Sequence, residues 1–286
     1  MANVTVSTAA NFIPEMWRDA ILDYAERRFL LRNQVTDFSS MVSQGGDVLN
    51  IPKVAEETAA AKSAGSAVTY SANTDGVRQL SIDQHHYEAK RIEDIVRVQE
   101  SADLFNAYAK SMGYALAKKV ESFLAATIQG ATANNTDVAT DNILLPAELR
   151  GGLEKFLDAN HDYTDGETYL YVNPKVYMGL MGQGDFTESQ KRGDAVNPIV
   201  SGNVMEIYGM PVYPSTDWSE SGTDGTQIGS AFKKEAIYFG QQIAPRVQSS
   251  YDIDHLATSV VADVLFGAVL SQAAGSATGI VNFLNP

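Results

Sequence analysis

The sequence predicts an α+β protein, and three observations carry that reading. One long amphipathic helix spans residues 101–130. Short runs with strand parity, bounded by Gly, Pro, Asn and Asp, recur on both sides of it. Helices and strands mix without the strict alternation of a parallel α/β sheet, and nothing repeats at a fixed period.

Composition sets the frame. The chain has 286 residues, 44% hydrophobic and 20% charged, which is globular and long enough to bury about three quarters of the unfolded surface. One large domain or two smaller ones are both allowed. The absence of cysteine excludes disulfides, thiolate metal sites and a cysteine nucleophile, and fits a reducing compartment. The start, MANVTVSTAANFIPE, has neither the basic region nor the apolar core of a signal peptide. The late apolar run SVVADVLFGAVL is interrupted by Asp263 and is too short to span a bilayer, so no membrane is expected. The sequons at Asn3 and Asn134 then carry no functional weight. A formal net charge of -14 repels phosphates, which argues against a general nucleic-acid binder.

The elements follow in order. Residues 1–12 read as an extended arm. Pro14 opens a helical run to Asn33, with Trp17, Ile21, Tyr24 and Ala25 on one face. Arg27, Arg28 and Arg32 collect at its end, either as complement to the helix dipole or as a patch for a partner. After the Gly45–Gly46 turn, VLNIPKV reads as a strand that Pro52 confines to an edge. Residues 55–76 are small and polar with no apolar period, longer than loops inside compact domains usually run. LSIDQHHYEAK (80–90) resumes a strand, so the two strands and the tip predict a projecting hairpin.

The long helix places Leu104, Tyr108, Met112, Leu116, Val120, Phe123, Leu124 and Ile128 at helical spacing. Ser101 caps it, Asp103 suits its first turn and Gly130 ends it. Its 29 or so residues would run roughly 43 Å. Gly113 inside it marks a close packing contact or a kink. A polar link (131–142) follows, then an amphipathic helix in PAELRGGLEKFLDAN. TYLYV is a strand running into Asn173-Pro174, a cap and a first-turn proline for the helix PKVYMGLMG. Residues 182–203 read as a loop. VMEIYG and MPVYPS pair as strands, and EAIYFG, SVVADVLFGAVL and TGIVNFL are further strands.

Candidates for chemistry are few. His85 and His86 are adjacent, but neighbours on a strand face opposite ways and would not converge on one metal. In YDIDH, Asp252 and Asp254 would share a strand face beside His255, a donor set suited to a hard cation but short of ligands. DYTDGE (162–167) lacks the acid spacing of a calcium loop and reads as a polar turn. No phosphate loop and no nucleophile elbow occur. The expectation is no catalytic residue, no metal and no cofactor.

Several segments carry a resemblance in combination. IDQHHYEAKRIEDIVRVQES runs into the long helix. YLYVNPKVYMGLMG is followed by GNVMEIYGMPVYPSTDW, and KKEAIYFG by a late strand ending in FGAVLS. In this order and spacing the chain resembles the major capsid (coat) protein of tailed bacteriophages, the Hong Kong 97-type fold, over nearly its whole length. That resemblance implies an N-arm and helix in residues 1–45 and an extended loop in 46–92. It implies a peripheral domain with its spine helix in 93–142 and 236–286, and an axial domain in 143–235. It further implies a non-enzymatic shell subunit, made in the host bacterial cytoplasm and resident in the virion. Its partners would be copies of itself in pentamers and hexamers, a scaffolding protein, a portal, and in some heads a decoration protein. It would enclose double-stranded DNA without reading its sequence.

On this reading Arg27, Arg28, Arg32, Lys62, Lys90, Arg91, Glu93 and Asp94 are the candidate contacts between subunits, against the plain alternative of solvated charges. Some family members carry a removable N-terminal scaffolding segment. Here the arm begins almost at Met1, so either that segment is already gone or a separate scaffold acts. Two other readings stay open: an encapsulin-like compartment of the same fold, separated by cargo in place of DNA, and a soluble α+β hydrolase using carboxylates, which would be a monomer or small oligomer.

Overall fold

A computed structural model describes residues 30–43, 45–53, 59–68, 70, 76–94, 104–140, 142–183, 206–221, 223 and 225–286. Its strands in chain order are β1 (Thr36–Asp37), β2 (Val48–Lys53), β3 (Gly76–Ser81), β4 (Gln84–Glu93), β5 (Asn135–Asp137), β6 (Thr168–Val172), β7 (Glu206–Ile207), β8 (Met210–Pro214), β9 (Gln227–Lys233), β10 (Ile237–Asp252), β11 (Ala257–Leu270) and β12 (Ile280–Leu284). The α-helices are α1 (Ser39–Val42), α2 (Leu104–Gln129), α3 (Pro146–Asp158) and α4 (Pro174–Gly182).

Among the described residues the strands form three sheets. A six-stranded one runs β5-β12-β9-β6-β8-β7, a four-stranded one β1-β10-β11-β4, and β2 pairs with β3 alone. Helix α2 lies on the four-stranded sheet. Its Met112, Leu116, Val120, Leu124 and Ile128 are buried with Phe239, Val260, Val264 and Phe266 in one core, which continues to Tyr171, Trp218 and Phe232 of the six-stranded region. Gly113 is buried on this helix. At ~1.5 Å per residue the 26-residue helix runs roughly 39 Å. A second core gathers Leu149, Leu153 and Phe156 of α3 and Val176, Tyr177 and Leu180 of α4 against Leu170, Val212, Ile228 and Phe283.

Local chemistry explains the elements that the sequence marks well. The Asn173 side chain accepts the Val176 N–H at 2.7 Å, which caps α4 ahead of Pro174. Gly152 lets α3 close on β12, since a Cβ there would stand 2.8 Å from the Phe283 ring. The expected N-terminal helix is described only in its last part, where Leu31–Gln34 form a single 3₁₀ turn. Its residues 14–29, Arg27 and Arg28 among them, lie outside the described residues, as do Ser101, Asp103 and most of the expected loop at 182–203.

Three expectations are corrected, and one strand stands where none was expected. The partner of β2 is β3, from Val48↔Ser81 to Lys53↔Gly76, whereas LSIDQHHYEAK breaks at Ile82–Asp83 and continues as β4 in the other sheet. The break follows from burial: Leu80 and Ile82 turn into a small core of their own under the hairpin. Of EAIYFG, Ile237–Gly240 is only the start of β10, which runs 16 residues because its polar later part stays paired with β11 across two register shifts. Gln227–Lys233 forms a central strand that small residues and the lack of alternation hide, being buried on both faces. Asp252 and Asp254 do not share a strand face. Asp252 ends β10 and accepts the Asp254 N–H at 3.1 Å and the His255 Nδ1 bond at 2.7 Å, closing the turn to β11.

Candidate functional site

The β2–β3 hairpin is largely exposed. On β2 only Leu49 and Ile51 are half-buried, and on β3 only Leu80 is buried. The root, by contrast, is pinned. Gly240 and Gly267 are cross-strand partners on β10 and β11 and together make a notch in that sheet. The chain at Leu80–Ile82 crosses it so closely that a Cβ on Gly267 would lie 2.0 Å from the Ser81 carbonyl oxygen. A Cβ on Gly240 would meet Leu80 and Val42 at 3.1 Å. Arg78 Nε donates to the Leu270 carbonyl at 2.7 Å, and the Ile82 N–H to that of Asp47 at 2.9 Å. At its far end Pro52, Lys53, Gly76 and Val77 line shallow clefts with Glu235, Tyr238, Ser271 and Gln272 of the body. Residues 59–68 are exposed throughout, and Tyr70, 92% exposed, Val68 and Val77 offer apolar surface to the outside. An isolated two-stranded hairpin is marginal in water, so this one gains by lying on something else.

The candidate contacts fall around this hairpin and along β4. Lys62 is exposed in the hairpin connection. Lys90 pairs with Glu88 at 3.1 Å and Arg91 with Asp252 at 3.4 Å. Asp94 accepts the Tyr251 hydroxyl at 2.7 Å, and its N–H donates to the Leu256 carbonyl. Glu93 faces solvent at the end of β4. Arg32 lays its guanidinium over the Phe239 ring, 5.6 Å from the centroid, while its N–H points to Glu121. The structure therefore joins Lys90, Arg91 and Asp94 on one exposed sheet end and leaves Lys62 and Arg32 apart from them.

The adjacent histidines part as strand geometry demands. His85 faces out, with Nε2 3.0 Å from Asp263 Oδ2. His86 faces α2 and tilts against Phe266 at 5.7 Å. Burial, then the nearby Lys119, pushes the His86 pKa down. Asp263 also takes a two-pronged bond from Arg246 at 2.8 and 3.0 Å, which holds its carboxyl below the usual range against the cost of its burial. The sequence showed Asp263 only as an interruption of an apolar strand.

DYTDGE is a turn, as expected: Asp162 accepts the Thr164 N–H and Asp165 the Glu167 N–H. It also receives Lys233, almost wholly buried, whose Nζ lies 2.7 Å from Asp165 Oδ2. Two further groups escape sequence reasoning. Asn282 ties β12 to the end of α2 through the Ala131 carbonyl at 2.7 Å and accepts from Ser230, which in turn receives the Trp218 indole N–H. Glu121 on α2 accepts the backbone N–H of Leu31 at 3.0 Å. Among the described residues, no group of three or more metal-ligating side chains converges, and no helix is long and apolar enough to cross a membrane. The geometry is that of a pinned arm and a charged sheet end, an arrangement suited to contact with another macromolecule.

Comparison with known proteins agrees with this architecture. The family described as phage capsid protein matches residues 88–281. No curated protein matches the chain. Among solved structures, a chain of Mycobacterium phage Che8 aligns at a TM-score of 0.72 and 23% identity, covering 89% of this chain and 90% of that one. The capsid structure of cyanophage P-SCSP1u aligns at 0.69 and 16% identity, with 88% and 86% covered. The mature capsid of bacteriophage PhiM1 aligns at 0.70 and 12% identity, with 88% and 86% covered.

Proposed function

The chain belongs to the phage capsid protein family, and we propose that it closes a head around double-stranded DNA by laying its β2–β3 hairpin over a neighbouring copy. It is a structural shell subunit, a major capsid protein of tailed-phage type, and its place is the virion. Neither the encapsulin-like nor the hydrolase reading is favoured by that membership. The observation that carries the arm is the contrast along the hairpin, a root locked into the Gly240–Gly267 notch and a connection whose residues 59–68 are exposed throughout.

The physics of the remaining parts follows. A hairpin meeting a different surface on the next copy is a heterologous contact, which closes into rings when the rotation allows. We assign residues 46–92 to the arm, 93–142 and 236–286 to a peripheral domain and 143–235 to an axial domain whose loops meet at five-fold and six-fold axes. Lys62, Glu93 and the Lys90, Arg91, Asp94 end of the sheet, with Arg27, Arg28 and Arg32, supply charge at the contacts. The pairs within the chain are exposed, so exchanging them for a neighbour's groups costs little. The net charge of -14 gives an inner wall that does not grip phosphate, so DNA slides during packaging. A scaffolding protein, a portal and a decoration protein complete the set of partners. The subunit needs no catalysis for this work and is made in the host cytoplasm before assembly.

The test is electron microscopy of the full chain, alone and with a scaffold, beside a variant lacking residues 56–75. Closed shells from the full chain and folded, unassembled subunits from the variant are expected. Normal shells from the variant would overturn the arm.

A further inference from the structure

The described chain begins at Leu30, and the turn that follows it meets one carboxylate. Glu121 of α2 accepts the Leu31 N–H at Oε2, 3.0 Å, and turns Oε1 toward the Arg32 N–H at 3.5 Å. These are donors at the start of the Leu31–Gln34 turn, which no side-chain cap serves otherwise. The carboxylate sits in a cleft of about 240 Å³ lined by Leu30, Tyr114, Lys118, Tyr171 and Asp217. Leu31 itself is buried in the main core, and Gln34 accepts the Tyr171 hydroxyl at 2.6 Å, so the turn is fixed on its far side while its near side hangs on Glu121.

We propose that Glu121 is a proton-controlled clasp that holds the Leu31–Gln34 turn on α2, closed by acid and loosened by base.

The groups that face it set the sign. Asp217, in the loop after β8, adds like charge. Lys118 and Tyr114 line the cleft from α2 and Tyr171 from β6, while the Arg32 guanidinium is turned to Phe239. Burial foremost, with Asp217 adding and the N–H groups of Leu31, Arg32 and Leu30 opposing, raises the Glu121 pKa from 4.5 to about 7. Lifted into water, the carboxyl returns to its ordinary value. The closed clasp thus binds the proton more tightly than the open one. Opening becomes more favourable as pH rises from about 4.5 to about 7 and levels off above that. The clasp is a property of one subunit and goes beyond the shell reading, so it can be tested without assembly.

The experiment is amide hydrogen exchange of the full-length, unassembled chain between pH 5 and pH 8, read as protection factors corrected for intrinsic rates. The Leu31 and Arg32 amides are expected to lose roughly 50- to 100-fold in protection over that range. E121Q keeps the shape and one acceptor but cannot ionise, so its profile is expected to be flat. D217N, which removes the like charge, is expected to move the midpoint to lower pH. A flat profile in the parent chain, an unchanged slope in E121Q, or an unmoved midpoint in D217N would each overturn the clasp as described. Loss of shells with the exchange profile intact would bear on the shell reading and leave the clasp standing.

Discussion

The six-stranded sheet and the β2–β3 hairpin are made of the same kind of backbone ladder and solve opposite problems. Strand β9 is buried along nearly its whole length and has partners on both edges. The hairpin has one ladder, both outer edges unpaired within the sheet, and burial only at Leu80 and its neighbours. The first region makes the subunit stable by itself. The second adds little to that stability, and the proposed arm would lay its exposed part on another copy. On that proposal stability and function lie in different strands, and substitutions should separate them.

The largest effect belongs to the core. Phe232 is fully buried, with ring centroids 5.9 Å from Tyr169 and 5.7 Å from Tyr171, where the two sheets share packing. Phe232→Ala is expected to lower stability by about 3–5 kcal/mol in chemical denaturation, and shells should vanish with the fold. The root comes next. Gly267→Ala drives a Cβ into the Ser81 carbonyl, and backbone has to move. A loss of about 1–3 kcal/mol is expected, with exchange at Leu80 and Ile82 rising more than exchange in β9. Gly275→Ala, with nothing within 4 Å of its Cβ, is the control and should change stability by less than about 0.5 kcal/mol.

How far the sequence disclosed this division depends on the residue. Asn173-Pro174, the 3.6-residue rhythm of Met112 to Ile128 and the apolar run SVVADVLFGAVL report local rules, and the elements stand where those rules place them. The break at Ile82 was hidden because LSIDQHHYEAK keeps strand composition throughout, and only the notch at Gly240 and Gly267, about 160 and 185 residues away, forces it. Strand β9 was hidden because a strand buried on both faces has no alternation to read. For the candidate contacts, the exposed hairpin was visible as low apolar content. The partners of Lys90, Arg91 and Asp94 come from Glu88 beside it and from Tyr251 and Asp252 across the sheet, and pairing across the sheet is a product of register.

Between the two extremes lies the outer face of the four-stranded sheet. Asp263 is covered by Arg246 and His85, and its carboxyl is held below the ordinary range. A depressed carboxyl contributes stability above its unfolded pKa and loses it as pH falls through the folded one. Asp263→Asn is therefore expected to lower the melting midpoint by about 2–4 °C at pH 7, with the difference closing as pH drops below about 4. A difference that does not shrink at all as pH falls below about 4 would mean that packing, not charge, holds this face.

The smallest effect on stability should carry the largest message. Tyr70 is 92% exposed in the hairpin connection, so Tyr70→Ser removes no contact that the single subunit needs. Its melting midpoint should match the parent's within the shift produced by about 0.5 kcal/mol. If the hairpin lies on a neighbour, the same ring is buried once per contact in an assembly, and a modest loss at each contact multiplies across the particle. Shell yield by size-exclusion chromatography should then fall several-fold while the subunit stays intact. A fall in the melting midpoint of the isolated subunit would reverse the comparison, because it would mean that the hairpin packs on its own chain and that its exposure does not mark a surface kept for a partner.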